Sequence, residues 1–146
     1  MNLETTSNGS QQEAKCKDKV KAHYKNRMAD ITKLWKLYQQ DCEANDDDLG
    51  NWNEYGLAFD YVPKGTFDNQ RRGYFRYQIS WGGPSEEFRF FVDETLNITT
   101  CQFWFLDWFD GAFIRVTGKN LDTWREIWDD FQSCDLLRTK IEDSKL

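Results

Sequence analysis

The chain is poor in several features that mark whole classes of protein. It has two prolines and one histidine in 146 residues. No apolar run approaches the roughly 20 residues that a membrane-spanning helix needs. Segment 1–12 is polar and lacks the apolar stretch of a secretory signal. These absences favour a soluble, cytoplasmic protein without a membrane partner.

Cysteine is present, but not in a metal-binding pattern. The four cysteines form no closely spaced pair, and His23 is the single histidine. Structural zinc sites combine such pairs with further Cys or His ligands. We therefore expect reduced thiols, no metal site and no cofactor at Cys16, Cys42, Cys101 and Cys134. A Cys–His catalytic pair would have to form in space, and it stays a minor alternative.

Motifs of common catalytic sites are missing as well. The chain has no nucleophile-elbow motif, no zinc-protease motif, no P-loop and no dinucleotide-binding glycine pattern. Gly82-Gly83-Pro84-Ser85 is not followed by the helix that a phosphate-binding loop requires. The sequence therefore favours a binding protein over an enzyme.

Aromatic residues, in contrast, are abundant. Seven Trp, eleven Phe and six Tyr make up 16% of the chain. Each buried aromatic side chain removes about 150–250 Å² from water, so a core can form without staples. A chain of this length fits one domain. We predict a disordered tail over residues 1–12, a single α+β domain over 13–138 and a loose tail over 139–146.

Two segments show helical periodicity. Over residues 13–42, apolar residues such as Val20, Tyr24 and Ile31 recur at spacings of three and four. Over residues 120–136 a second stripe predicts a helix that begins at the N-cap Asn120. That stripe consists of Leu121, Trp124, Ile127, Trp128 and Phe131.

The segment between the helices predicts an antiparallel meander of four to five strands. The strands are predicted at 55–62, 73–81, 86–92, 100–109 and 112–117, with turns at Gly82–Ser85 and Asp110-Gly111. Alternation then predicts the register. The first turn pairs Trp81 with Glu86 and places the apolar residues of both strands on one face. The second turn pairs Trp108 with Phe113.

The net charge of −6 is unevenly distributed. Residues 1–40 hold eight Lys or Arg against four Asp or Glu, and the remainder holds eleven against twenty-one. An acidic body suits a basic protein, such as a host enzyme that handles nucleic acid, and electrostatic steering would speed that encounter. The candidate partner-binding residues are the acids Asp46, Asp47, Asp48, Glu126, Asp129 and Asp130.

Two alternatives stay open. A basic and aromatic sheet face could stack and neutralise single-stranded nucleic acid. Its residues would be Arg72, Tyr74, Arg76 and Arg89. Alternatively, Asp107 could serve a small-ligand or enzymatic site, unless it only accepts hydrogen bonds from Arg115, Arg89 or a turn.

Two motifs, WGGPSEEFRF over residues 81–90 and FWFLDWFDG over residues 103–111, stand beside Tyr55-Gly56-Leu57. They resemble small uncharacterised proteins of bacterial phages, plasmids and other mobile elements. The resemblance covers about residues 50–118 and implies no particular activity or site. It implies a context in which small acidic proteins often inhibit host defence, as anti-CRISPR and antirestriction proteins do. We therefore expect an inhibitor of a host nucleic-acid-processing complex, with its oligomeric state open.

Overall fold

The computed structural model describes the backbone of residues 3–146 and the side chains of residues 16–146. Helix α1 (Leu3–Gln40) and the short helix α2 (Trp52–Tyr55) precede five strands and two further helices. The strands are β1 (Ala58–Val62), β2 (Tyr74–Ser80), β3 (Ser85–Val92), β4 (Ile98–Asp107) and β5 (Asp110–Arg115), and the last helices are α3 (Gly118–Ser133) and α4 (Leu136–Asp143). The disordered tail is predicted over residues 1–12; residues 1–2 lie outside the described backbone, and residues 3–12 form the first part of α1, where side chains are not described.

The strands form one antiparallel sheet in the order β1-β2-β3-β4-β5. This confirms the predicted α+β class and the five-stranded meander with helices at both ends of the chain. Both α1 and α3 cover the same face, because Tyr24 of α1 and Trp124 of α3 contact Phe103 and Phe88, which are paired on neighbouring strands. We call this the inner face, and the opposite face of the sheet the outer face.

Trp124 lies at the centre of the core. Its side chain is fully buried and contacts four aromatic rings at centroid distances of 4.8 to 6.4 Å, those of Trp52, Tyr77, Phe88 and Phe90. The predicted stripe of the last long helix is buried here at Trp124, Ile127, Trp128 and Phe131. A 3.6-residue period lays such side chains along one side of the helix, which explains why α3 packs flat on the sheet.

The predicted register of β4 and β5 is wrong by four residues. Asp107 pairs with Asp110, so the turn consists of Trp108 and Phe109, and Asp110-Gly111 begins β5. Trp104, rather than Trp108, lies opposite Phe113, and their rings stack at 4.7 Å. This register brings Val116, which is 1% exposed, to the buried Cys101, whose carbonyl accepts its N–H at 2.8 Å.

The predicted register of β2 and β3 is wrong by two residues. Phe75 lies opposite Phe90, and Ser80, rather than Trp81, lies opposite Glu86, with an irregularity between Gln78 and Ser80. The turn therefore begins one residue earlier than predicted and leaves Trp81 outside the ladder. The predicted faces are nevertheless correct, because a shift by an even number of residues keeps each side chain on its side.

The C-terminal region differs from the prediction at two points. Helix α3 begins at Gly118 with Thr117 as its N-cap, whereas Asn120, the predicted cap, donates a hydrogen bond to the Tyr24 hydroxyl at 2.8 Å. Residues 139–143, predicted as part of a loose tail, form the second half of α4. That helix buries Leu137 and packs Ile141 against the core, so apolar contacts hold it in place.

Candidate functional site

One end of the sheet carries large apolar side chains that face water. Successive connections of a meander alternate between its two ends, so the β2–β3 and β4–β5 turns lie at the same end. There Trp81 is 73% exposed, Trp108 is 90% exposed and Phe109 is fully exposed. Leu57, just before β1, is 61% exposed at the same end. We call these four residues the apolar end, since such a group is typical of an interaction surface.

The β4–β5 turn uses an unusual residue. Trp108 has a φ of 56°, in the left-handed region that Gly, Asn and Asp usually fill. A bulky residue in this conformation costs about 1–2 kcal/mol. Because Trp108 is almost fully exposed, contacts within the protein offset little of that cost. A residue that strains its own turn and faces water is better explained by a role outside the fold.

Two carboxylates flank this aromatic turn. Asp107 and Asp110 lie opposite each other at its base. Asp110 also lies beside the thiol of Cys16 in α1. Burial, together with the hydrogen bond and charge of Asp110 and the charge of Asp107, raises the pKa of Cys16 to about 11. The thiol is thus protonated at neutral pH. Asp110 is directed inward, since its Oδ2 is buried and its Oδ1 accepts the Gly111 N–H at 2.9 Å.

A buried carboxylate lies under α1 behind this end. Glu86 is 3% exposed, and its oxygens accept two hydrogen bonds from Arg27, at 3.0 Å and 2.7 Å, and one from Ser80 Oγ at 3.0 Å. His23 Nδ1 lies 3.0 Å from Oε2. Burial raises the pKa of Glu86, but the bonds from Arg27, His23 and Ser80 outweigh it and hold the pKa below its usual value. Glu86 is therefore ionised and fixes α1 to the sheet.

Arg27 extends this network to α2. Its Nη1 donates a hydrogen bond to the Tyr55 hydroxyl at 3.0 Å, and that hydroxyl donates to Asp30 Oδ2 at 2.8 Å. Burial is the main cause that raises the pKa of Tyr55, so it remains a neutral donor. We call these residues, Glu86, Arg27, His23, Tyr55 and Asp30, the Glu86 cluster. Its contacts join α1, α2 and β3 through side chains alone.

Within residues 16–146 the structure supports neither catalytic alternative, because it brings together neither a Cys–His pair nor a set of polar side chains around Asp107. His23 faces Glu86 and packs on Phe105 at a centroid distance of 4.6 Å, whereas Cys16 faces Asp110 two turns earlier on α1. Asp107 ends β4 at the apolar end. Arg89, predicted to be a possible donor to Asp107, instead bonds Glu87 at 2.7 Å.

The predicted partner-binding acids lie on two different elements. Asp46, Asp47 and Asp48 belong to the loop between α1 and α2. Asp46 bonds Lys33 Nζ at 2.6 Å and accepts the backbone N–H groups of Asp48 and Leu49. The bond from Lys33 is the main cause that lowers the pKa of Asp46. Asp46 therefore stabilises its own loop, while Asp47 and Asp48 are exposed.

The second group of acids faces water on α3. Glu126, Asp129 and Asp130 are all exposed, whereas Ile127 and Trp128 between them are buried. These three carboxylates thus lie on the side of α3 that points away from the sheet, and they contribute to the field of the surface.

The residues of the basic and aromatic alternative do meet on the outer face. Arg76 and Arg89 are opposite each other on β2 and β3. The Arg89 guanidinium lies 4.9 Å from the Tyr74 ring and 4.1 Å from the Trp104 ring. Arg72 lies 5.2 Å from the Phe91 ring, which in turn contacts Tyr74.

Carboxylates neutralise part of this outer face. Arg76 bonds Asp60 through two nitrogens, at 3.0 Å and 2.7 Å, and Arg89 bonds the buried Glu87. Tyr74 is only 4% exposed. Arg72 is therefore the exposed cation of the group, and the outer face is less basic than its arginine count predicts.

The sequence predicts neither the turn at Trp108-Phe109 nor the Glu86 cluster. Turn propensity predicts a turn at Asp110-Gly111 and therefore places Trp108 and Phe109 in a strand. The predicted register places Glu86 opposite Trp81, and the signal in the sequence that points to a buried ion pair is the two adjacent acids in an otherwise apolar strand. Nothing in the sequence indicates which of α1's charges would meet it.

Comparison of the chain with protein-family models, with curated proteins and with solved structures finds no match. The resemblance to proteins of mobile elements therefore stays a prediction. Within the residues that the structure describes, no three His, Cys, Asp or Glu side chains lie close enough to hold a metal ion. None of the described helices combines the length and the apolar character needed to cross a bilayer.

Proposed function

We propose that the chain is a non-catalytic binding protein whose apolar end docks on a host protein that processes nucleic acid and inhibits it. The observation that supports this most directly is the aromatic turn. Trp108 and Phe109 occupy a two-residue turn, are almost wholly exposed, and Trp108 adopts the left-handed conformation at a cost to the fold. Tryptophan is also the residue type most enriched among the residues that dominate interface energies.

The chemistry around the turn defines the partner's surface. The exposed rings of Trp108 and Phe109 fit an apolar pocket, and the carboxylate of Asp107 at their base fits a Lys or Arg on its rim. A protein that handles nucleic acid offers such basic surface. The resemblance to proteins of mobile elements, in which inhibitors of host defence occur, agrees with this partner class.

The acids on α3 have a different role in this proposal. Glu126, Asp129 and Asp130 are exposed charges of a chain with net charge −6. Such charges increase the association rate with a basic partner more than they strengthen the final complex. We expect their reversal to Lys to slow association, most clearly at low salt, and to leave dissociation nearly unchanged.

The test is a tagged pull-down from bacterial lysate, with and without nuclease, read by mass spectrometry. Three forms are compared: the wild type, the double variant Trp108→Ser with Phe109→Ser, and the control Phe67→Ser. Phe67 is 53% exposed in the β1–β2 connection, at the opposite end of the sheet. We expect a nuclease-resistant partner with the wild type and the control, and its loss with the double variant. Equal recovery with all three forms would remove the apolar end as the contact.

A second candidate function is binding of single-stranded nucleic acid on the outer face. Arg72, Phe91 and Trp104 lie on this face, which neither α1 nor α3 covers, and base stacking on aromatic rings needs such a platform. This function predicts salt-dependent binding of a labelled oligonucleotide, measured by fluorescence anisotropy. Arg72→Glu would abolish it and Arg71→Glu, at the exposed neighbouring position, would weaken it less. Absence of salt-dependent binding by the wild type would exclude this candidate.

A further inference from the structure

The outer edge of β5 offers unpaired backbone groups. The Val116 N–H bonds the Cys101 carbonyl at 2.8 Å, in continuation of the β4–β5 ladder. Hydrogen-bonded and non-bonded pairs alternate along an antiparallel ladder. Residues 110, 112 and 114 therefore also point their backbone groups at β4. The backbone groups of Gly111, Phe113 and Arg115 point away from the sheet, where the Gly111 N–H donates to the Asp110 carboxylate at 2.9 Å.

The side chains of these three residues leave the edge accessible. Gly111, Phe113 and Arg115 are all exposed, and Phe113 keeps 51% of its surface in water. Helix α1 packs on β5 from the inner face, with Cys16 beside Asp110, and by Arg27 it has reached Glu86 of β3. Helix α4 packs against the other edge strand, β1. An open edge of this kind is a template for a further strand.

The β5 edge is complementary to itself. In an antiparallel pair centred on Phe113, that residue lies opposite Phe113 of a second copy, and Gly111 lies opposite Arg115. All three residues then meet as hydrogen-bonded pairs, each of which exchanges two backbone bonds, and the Gly111 N–H gives up its bond to the Asp110 carboxylate for one to Arg115 of the second copy. Opposed residues of an antiparallel pair point to the same face, so the axis passes through a residue and not between two residues. A centre at Phe113 pairs all three outward-pointing residues with one another, whereas a centre at Ala112 or Ile114 pairs only two of them.

The side chains fit the same register. On the outer face Phe113 already stacks on Trp104 at 4.7 Å, and the two stacks would join into one aromatic row across the axis. On the inner face Ala112 would lie opposite Ile114, and both are half-buried apolar residues. Gly111, without a side chain, leaves room for the long Arg115 side chain opposite it. Cross-strand aromatic and aliphatic contacts of this type stabilise a sheet.

We propose that two copies of the chain pair through β5 about a two-fold axis at Phe113 and form one continuous ten-stranded sheet. An isologous contact of this kind closes on itself and gives a dimer, not a fibre. The contact does not use Trp108 or Phe109, so dimer formation and partner binding are separate properties of the chain.

The oligomeric state tests this proposal. Molar mass is measured by light scattering and by sedimentation over a wide concentration series for the wild type, Phe113→Lys and Phe67→Lys. A Lys on an edge strand opposes pairing, and Phe67 has nearly the same exposure as Phe113, 53% against 51%. We expect the mass of two copies for the wild type and Phe67→Lys, and half that mass for Phe113→Lys. A wild type that stays monomeric, or a Phe113→Lys variant that stays dimeric, would overturn the proposal.

A spectroscopic measurement locates the two-fold axis and does not depend on whether Phe113→Lys folds. The exposed cysteines are first replaced, as Cys42→Ser with Cys134→Ser, because Cys16 and Cys101 are buried and slow to react. A nitroxide label is then attached through Phe113→Cys or, as the control, Phe67→Cys. Opposed residues of a hydrogen-bonded pair have Cα atoms about 5.5 Å apart, so strong dipolar broadening is expected for residue 113 alone. A dimer without broadening at residue 113 would contradict pairing through β5.

Discussion

Replacing Arg27 with Met is expected to lower the free energy of unfolding by about 3–5 kcal/mol at neutral pH. The change leaves the carboxylate of Glu86 buried while it removes two of its hydrogen bonds and the neighbouring positive charge. Urea denaturation followed by fluorescence measures the loss. Arg138→Met is the matched control, because Arg138 is 78% exposed and lies 3.8 Å from an exposed Asp135 carboxylate. A surface pair of this kind contributes at most about 1 kcal/mol.

The pH dependence of the loss in unfolding free energy caused by Arg27→Met identifies the origin of that loss. The folded protein holds the pKa of Glu86 below the usual value of 4.5, so the cluster stabilises the fold above that pH. This stability is lost as the pH falls through the folded pKa. The deficit of Arg27→Met should therefore be largest near neutral pH and shrink under acid. Adding Glu86→Gln should recover part of it at neutral pH, and a deficit independent of pH would assign Arg27 a packing role instead.

The sequence predicted the faces of the sheet but not its registers. Alternation of apolar and polar residues has a period of two, so it cannot distinguish registers that differ by two or by four residues. Phe75 lies opposite Phe90 rather than Val92, and Trp104 rather than Trp108 lies opposite Phe113. Both shifts preserve the inner face. Contacts between the strands distinguish these registers. Examples are the hydrogen bond from Val116 to Cys101 and the stacking of Trp104 on Phe113.

The candidate sites were less predictable than the fold, for two physical reasons. The Glu86 cluster is built from side chains as far apart in sequence as His23 and Glu86, which are separated by 63 residues. Periodicity is a local signal and carries no information about such pairs. At the apolar end, turn propensity favoured Asp110-Gly111 over Trp108-Phe109, and the fold uses the less favourable turn. Local rules are most often violated at functional positions, so this failure itself supports the proposed contact.

Replacing Trp108 with Gly is expected to separate folding from binding. Glycine adopts the left-handed conformation at position 108 without steric cost, so the free energy of unfolding should stay equal or rise by up to about 1 kcal/mol. Loss of the exposed ring should cost about 2 kcal/mol or more in binding, which corresponds to an affinity about 30-fold weaker. Thermal unfolding and titration against the captured partner measure the two effects on the same preparation.

Phe109→Gly is the control that makes this result specific. Phe109 is also fully exposed, but it is not among the residues with positive φ. Its replacement should weaken binding as well, while the added freedom of the unfolded chain lowers stability by about 0.5–1 kcal/mol. Opposite changes in stability with the same loss of affinity would show that residue 108 is held in a strained conformation for contact outside the fold. If Trp108→Gly instead destabilised the chain and left affinity unchanged, Trp108 would be a structural residue, and the partner would have to be sought on the outer face or on α3.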